Sequence, residues 1–471
     1  MPNFYFPSQL TIVLIQLNDQ LVYAGYKRNL TKRMPLGLAY VAAALLDAGH
    51  SVEIIDAALD DLGVKDIVQN VLAKKPHLVG ITCTTPLFPQ LVEVVSGIKN
   101  KQKDIYFVIG GPHVSYLPEF SLIKSGADCV CIGDGERPIV GLIKSLLNGK
   151  EPSGVESITY RWGEEIKSTK RMRTKLWHSK SMAIPTDLDK ISFPARNILR
   201  VNEYVDYARG VLAPQTSVIT SRGCVGRCGF CSAGETFVKF RSVENVMEEL
   251  EDIFYKYHIY NLVFYDDSFT TKKERVIRIC KEMLKRKLKF TYQVQLRLDQ
   301  VDDEVMDWLV KSGCTQVGPG IESGNPEILK SIGKSPKATP EFMFGKCNII
   351  KKYPVKLRCS YIMGWVDETE EQIWDTIDIA KKIDADENAF SIATPYPGTR
   401  MWEVALRRGL VSNDMDFSQL VYYHKIGCNV SKVPTQRLLE LHELAYKEVG
   451  NRVYRLIESG KYASRRLLHK V

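Results

Sequence analysis

Short apolar runs at residues 11–16, 51–57, 77–83, 104–111 and 128–133 are rich in β-branched side chains, the pattern of strands buried on both faces. Between them, residues 36–48, 63–73, 87–99 and 136–148 place apolar side chains at three- and four-residue spacing, which predicts helices. This alternation predicts a parallel sheet with helices on both faces, and such sheets bind ligands outside the carboxyl ends of their strands. The loops at those ends are 17–35, Thr82-Cys83-Thr84-Thr85-Pro86, Gly110-Gly111-Pro112-His113 and Gly133-Asp134-Gly135-Glu136.

From 151 to 212 the periodicity weakens, cations crowd 167–175, and Pro185 and Pro194 punctuate the chain, which predicts a linker with a small hairpin. Alternation then resumes, with strands near 216–221, 260–266, 289–296, 314–321, 355–363 and 387–393. Six such units predict a partial, open parallel barrel with its site at the strand C-termini. Thr271-x-x-Glu274 and Thr369-x-x-Gln372 have capping-box spacing, and Thr339-Pro340-Glu341 puts proline at a first helical position. Past residue 400 the chain reads as helical, with a stripe of Leu438, Leu441, Leu444, Ala445, Val449, Val453 and Leu456. Beyond Gly450, Arg452, Arg455, Lys461, Arg465, Arg466 and Lys470 face the single acid Glu458. The expectation is that the stripe packs on the barrel and the cations are a solvated face, in preference to membrane contact. The organisation expected is an α/β domain over 1–150, a linker over 151–212, a barrel over 213–400 and a helical region over 401–471.

Composition narrows the class. The 471 residues, 45% hydrophobic and 25% charged, suit several globular domains and exclude a disordered or collagenous chain. A net charge of +9 from 64 cations and 55 anions is mild over this length, so nucleic acid is not an expected partner. The apolar stretch at 36–46 is too short to span a bilayer and no export signal opens the chain, which makes the cytoplasm the expected compartment. Eleven cysteines there point to reduced thiols, some metal-bound, not to disulfides.

Three of those thiols converge on one loop, Cys224-Val225-Gly226-Arg227-Cys228-Gly229-Phe230-Cys231, directly after the first barrel strand. Structural zinc takes four protein ligands, and no second knuckle lies nearby. Three thiolates can hold a four-iron cluster and leave one iron open to an outside ligand. Gly223, Gly226 and Gly229 let the backbone wrap closely. Cys129 and Cys131 alternate on an apolar strand and read as core thiols, and the remaining cysteines form no second cluster. Asp266 and Asp267, at a strand end, suit an ammonium group. Glu322 can accept from ribose hydroxyls and Ser323 can donate or accept; for each of these four residues a helix N-cap or loop-solvating role is the alternative. Gln295 and Arg297 face one side of the third barrel strand, toward a carboxylate or a barrel-interior ion pair.

The cysteine loop with Phe230 resembles the signature of the radical S-adenosylmethionine (radical SAM) superfamily. The loops Phe264-Tyr265-Asp266-Asp267-Ser268-Phe269, Gly320-Ile321-Glu322-Ser323-Gly324, Ile362-Met363-Gly364 and Pro395-Tyr396-Pro397-Gly398-Thr399 extend the match. With the N-terminal α/β region they resemble the cobalamin-binding branch, over about residues 8–400. That branch includes class B methyltransferases and the anaerobic magnesium-protoporphyrin ester cyclase.

The resemblance implies a flavodoxin-like cobalamin-binding domain ahead of a (β/α)6 radical SAM barrel. It implies a [4Fe-4S] cluster on Cys224, Cys228 and Cys231, and SAM held among Phe230, Asp266, Asp267, Gln295, Arg297, Glu322 and Ser323. Cobalamin contacts are then expected from Thr82, Gly110, Gly111, His113, Gly133 and Glu136, with loop capping as the alternative for His113. It further implies methylation of an unactivated carbon or phosphorus through methylcobalamin and a 5′-deoxyadenosyl radical, acting on a small-molecule or lipid substrate. Flavodoxin or ferredoxin would be the electron donor. A radical cyclase, oxidase or deoxygenase and a non-catalytic corrinoid-binding protein are the alternatives. Two departures stand out. The first-strand loop Leu17-Asn18-Asp19-Gln20-Leu21 has no histidine for the lower face of cobalt, and His50 and His77 read as structural. Gly364-Trp365-Val366-Asp367-Glu368-Thr369 replaces a tighter proline turn, leaving Trp365 to contact substrate or pack the rim.

Overall fold

The computed structural model describes residues 6–23, 32–169, 187–208, 211–234, 236–423 and 425–450; the cations at 170–175, Pro185 and everything beyond Gly450 lie outside them. In the first half, β1 (Thr11–Gln16), α1 (Leu36–Asp47), β2 (Ser51–Asp56), α2 (Val64–Lys74), β3 (Leu78–Thr82) and α3 (Phe88–Lys99) follow one another. Then come β4 (Tyr106–Gly110), α4 (Pro112–Tyr116), α5 (Pro118–Ser125), β5 (Cys129–Cys131) and α6 (Glu136–Leu147), and a hairpin of β6 (Ile158–Trp162) and β7 (Glu165–Ser168). The sheet order is β2-β1-β3-β4-β5-β6-β7. The first five strands are parallel, and the order reverses between β1 and β3, which opens a crevice at their carboxyl ends. The expected hairpin is not free-standing, because β6 pairs antiparallel with β5 and extends the sheet.

The second half opens with β8 (Val205–Ala208), β9 (Val211–Val218), β10 (Ser221–Arg222), β11 (Lys239–Phe240) and α7 (Val243–Glu251). It continues through β12 (Asn261–Phe264), α8 (Lys273–Lys285), β13 (Thr291–Leu296), α9 (Asp303–Lys311), β14 (Cys314–Glu322) and α10 (Pro326–Ile332). It closes with α11 (Pro340–Ile350), β15 (Lys356–Met363), α12 (Glu370–Ile383), β16 (Glu387–Ile392), α13 (Arg400–Arg407) and α14 (Thr435–Val449). The sheet runs β16-β15-β14-β13-β12-β9-β8, parallel except for the edge strand β8, as the curled open barrel expected. Thr369 and Gln372 form the capping box of α12, and Thr339 accepts from Phe342 N ahead of Pro340. Thr271 does not cap: α8 starts at Lys273, because the Thr271 hydroxyl is turned back onto Ser268 O at 3.0 Å.

Burial explains how the halves join. One apolar core runs from β1, β3 and α3 of the first sheet into Ile332, Trp365 and Trp402 of the second half. From the linker, Arg196 is 2% exposed and meets Glu249 of α7 at 2.7 Å, with Arg241 on the same carboxylate. Leu438, Leu441, Ala445 and Val449 of α14 pack into the barrel core, as expected for the described part of that stripe. Among the described residues no helix is long and apolar enough to cross a membrane.

Candidate functional site

The crevice of the first sheet is a cavity of about 370 Å³. Its inner wall is Leu14, Gly80, Ile81, Val108 and Cys131 from the strands, with Gly37, Leu38, Val41 and Ile139 from α1 and α6; Arg222, Gly223, Tyr265 and Asp267 close it from the barrel side. Of the residues expected there, Thr82, Gly110, Gly111, Gly133 and Glu136 line it. Gly111 has φ of 99°, and a Cβ on it would sit 2.6 Å from Cys83 O, so the turn demands glycine.

His113 goes elsewhere. It is 1% exposed, with Nδ1 3.3 Å from the Thr85 hydroxyl and its ring 4.4 Å from Phe88 and 4.6 Å from Phe417. Burial among those rings pushes its pKa down to about 3, so it is neutral, and the structure packs it against Phe88 and Phe417 behind the cavity, which is neither a cavity wall nor the loop cap named as its alternative. His50 and His77 accept from the backbone of Leu10 and Thr11, and among the described residues no histidine lines this cavity.

A second cavity, about 740 Å³, opens at the strand ends of the barrel and holds Cys224, Cys228, Cys231 and Phe230 on its wall. The cysteine loop is held from several sides. Gly229 N donates to Ile332 O at 2.7 Å, Met401 N donates to Gly229 O at 3.0 Å, and Arg400 donates to Arg227 O and Ile332 O at 2.8 Å each. Gly333 ends α10 at φ 89°, where a Cβ would fall 2.5 Å from Arg227 O. All three thiols are free and half-buried, and burial pushes Cys231 up to about 11. Among the described residues no three His, Cys, Asp or Glu side chains converge as a single ion requires. Three separated thiols around an open cavity suit an extended cluster, whose irons would draw off protons that burial otherwise retains.

The expected SAM residues divide. Phe230, Asp267, Gln295, Arg297 and Glu322 line the second cavity. Arg297 is oriented by Asp299, with Nε and Nη2 donating at 3.1 and 2.7 Å. Glu322, at φ 69°, pairs with Lys334 at 3.0 Å. Asp266 and Ser323 do not line it. Asp266 is 2% exposed and accepts from Thr220 N at 3.2 Å, from the Thr220 hydroxyl at 2.8 Å and from the Ser221 hydroxyl. Its lone pairs are spent on positioning the cysteine loop. Ser323 is fully buried, bonded to Thr376 Oγ1 at 3.0 Å and accepting from Asn325 N at 3.1 Å; it braces the turn ahead of α10, whose N-cap is Asn325. Trp365 packs the rim, donating to Ser331 Oγ at 2.9 Å with its ring edge-on to Phe230.

Sequence reading gave no role to four residues on these walls: Lys334, Tyr396, Tyr422 and Arg222. Lys334 lies after an unremarkable helix end, and Tyr396 and Tyr422 reach the second cavity from distant loops. Arg222 was hidden beside the cysteine motif, although a cation preceding it was visible. Asp267 lines both cavities, and its Oδ2 accepts from Gly223 N at 3.0 Å.

Comparisons with known proteins agree with this division. Residues 32–143 match the B12 binding domain and residues 218–380 the radical SAM superfamily. An uncharacterized methyltransferase of Pyrococcus horikoshii is 35% identical over 80% of this chain and 79% of its own. The anaerobic magnesium-protoporphyrin IX monomethyl ester cyclase of Rubrivivax gelatinosus is 23% identical over 78% of this chain and 66% of its own. Among solved structures, the radical S-adenosylmethionine methyltransferase TsrM from Kitasatospora setae, with cobalamin and [4Fe-4S] cluster bound, has the same fold. Its TM-score is 0.72 at 18% identity, covering 94% of this chain and 88% of that one.

Proposed function

We propose that this chain, which belongs to the cobalamin-dependent radical SAM methyltransferase family, methylates an unactivated carbon or phosphorus of a small molecule with the methyl group of SAM. The observation that carries this reading is the adjacency of the two cavities, which share Asp267 on their walls. A substrate between them meets both cofactors without leaving the site, as near-attack geometry requires. When bound, cobalamin supplies a methyl carrier, and the cluster supplies the electron that cleaves SAM to a 5′-deoxyadenosyl radical.

The residues divide the work. Cys224, Cys228 and Cys231 hold the cluster. Asp267 takes the ammonium group of SAM, Arg297, fixed by Asp299, takes its carboxylate with Gln295 beside it, and Glu322 accepts from the ribose. Phe230, backed by Trp365, shields the reacting atoms from water. In the first cavity Gly80, Gly110, Gly111 and Gly133 would let a corrinoid approach the backbone closely, and Thr82 would offer it a hydroxyl. Among the described residues no histidine lines the cavity that would hold the corrinoid. The likeness to the cyclase favours a second reading, oxidative cyclisation on the same frame. Eleven free thiols suit the cytoplasm, where flavodoxin or ferredoxin donates the electron.

Metabolite profiling of a host with and without this protein, fed SAM labelled in its methyl group, tests the proposal. A product heavier by one labelled methyl supports it; a product lacking the label and lighter by hydrogen selects the cyclase reading.

A further inference from the structure

Arg222 stands where the two halves meet. It ends β10, two residues before Cys224, and its side chain is 13% exposed. Nη2 donates to Glu136 Oε1 at 2.8 Å, Nη1 lies 2.9 Å from Asp134 Oδ2, and the guanidinium carbon lies 4.9 Å from the centre of the Tyr40 ring. Tyr40, Asp134 and Glu136 all belong to the first half, and with Arg222 they line the first cavity. One residue on, Gly223 N is held by Asp267, the carboxylate common to both cavities. The segment 222–224 is therefore fastened at one end to the wall of the first cavity and carries the first cluster cysteine at the other.

The fastening is stiff but unfinished. A guanidinium keeps its proton, so it cannot escape burial by becoming neutral, and its planar fork holds the two carboxylates in one arrangement. Beyond the Arg222–Asp134 and Arg222–Glu136 pairs, Glu136 Oε2 is buried on the cavity wall without a hydrogen-bond partner. One carboxylate oxygen left over beside a buried ion pair matches a ligand rimmed with carboxamides, whose N–H groups donate. The periphery of a corrin is such a rim.

Resting on the cofactor reading of the two cavities, we infer that Arg222 couples them: a corrinoid amide in the first cavity donates to Glu136 Oε2, stiffens the Glu136–Arg222–Asp134 ion pairs and thereby fixes the loop that holds the cluster. By linkage the cluster must favour the corrinoid to the same degree. Arg222 is a positioning residue here, acting through Gly223 and Cys224.

The test is an anaerobic titration of hydroxocobalamin onto the full chain, followed by absorbance, before and after iron–sulfur reconstitution. The wild-type chain should bind more tightly after reconstitution, by about five- to 150-fold, the usual span of coupling between sites. Hydroxocobalamin should correspondingly slow loss of the cluster to an iron chelator. Arg222→Gln should bring the ratio of affinities close to one and abolish that protection. Should that variant fail to fold by circular dichroism, Glu136→Gln, which keeps shape and removes one charge, should lower the ratio severalfold. A purely structural role would weaken binding equally in both states and leave the ratio intact, which overturns the inference. Equal wild-type affinity in both states overturns it too, while leaving the cofactor reading standing; a wild-type chain that takes up no hydroxocobalamin overturns both.

Discussion

The two cavities solve different recognition problems with different walls. That of the first sheet is apolar and glycine-lined inside, and its charged groups Asp134, Glu136 and Arg222 are largely spent on one another. That of the barrel carries thiols together with Asp267, Arg297, Asp299, Glu322 and Lys334. A large, neutral, amide-rimmed ligand is bound by area and shape, whereas a small zwitterion is bound by placed charges. The first cavity should therefore respond to changes of volume and the second to changes of charge or ligand atom.

The largest effect expected is loss of the second site with the first intact. Replacing Cys224, Cys228 and Cys231 together by alanine should remove the iron–sulfur absorbance and all 5′-deoxyadenosine formation, while hydroxocobalamin still binds. Residual cluster absorbance in that variant would refute the thiol assignment.

Next, the adjacent aspartates should behave oppositely. Asp266→Ala strands the amide and hydroxyl of Thr220 and the hydroxyl of Ser221, at about 1–3 kcal/mol for each buried donor left unpaired, so it should lower the denaturation midpoint sharply. Asp267→Ala gives up one backbone hydrogen bond, about 1 kcal/mol, and should instead weaken SAM binding in equilibrium dialysis. A reversed pattern would exchange their roles.

That pair also shows what sequence can and cannot say. The strands were legible as near-continuous apolar runs at the centre of the first sheet and as alternating runs elsewhere, and the cysteine loop because its spacing is local. Gln295 and Arg297 followed from strand alternation, which fixes the face of each residue. Asp266 and Asp267 are neighbours with one chemistry, and only the tertiary position of Thr220 and Ser221 decides which of them is consumed. Ser323 and His113 were misplaced for a related reason: their partners Thr376, Phe88 and Phe417 come from other elements. The capping box at Thr369 was read correctly and the one at Thr271 was not, since the same spacing occurs where a preceding turn claims the hydroxyl.

A smaller effect should follow in the first cavity. A Cβ on Gly80 would lie 2.5 Å from the Leu14 side chain. Gly80→Leu crowds Leu14 on the cavity wall, and a loss of about 1–3 kcal/mol from binding would be about five- to 150-fold in hydroxocobalamin affinity. Iron content should not change; if it falls in parallel, the two walls are not independent in the way their chemistry suggests.

The finest distinction lies in pH, because His113 in the first half and Glu368 in the second are buried titratable groups shifted in opposite senses. His113 is held near 3 by burial, below its ordinary 6.5, so the unfolded chain takes up a proton first and stability is lost as pH falls from 6.5 toward 3. Glu368 is fully buried, accepts from Gly364 N at 2.6 Å and Trp365 N at 2.9 Å, and has Oε1 unpaired; burial pushes it up to about 7. Its ordinary value is 4.5, so the folded chain keeps the proton longer and stability is lost as pH rises from 4.5 through 7. Each slope reaches at most about 1.4 kcal/mol per pH unit, and between 4.5 and 6.5 they oppose. The wild-type profile thus conceals both, and urea midpoints of single variants separate them. His113→Phe, which suits the Phe88 and Phe417 rings, should flatten the acid side alone; Glu368→Gln should flatten the neutral side alone. Identical changes in both would mean that neither group titrates as its surroundings dictate.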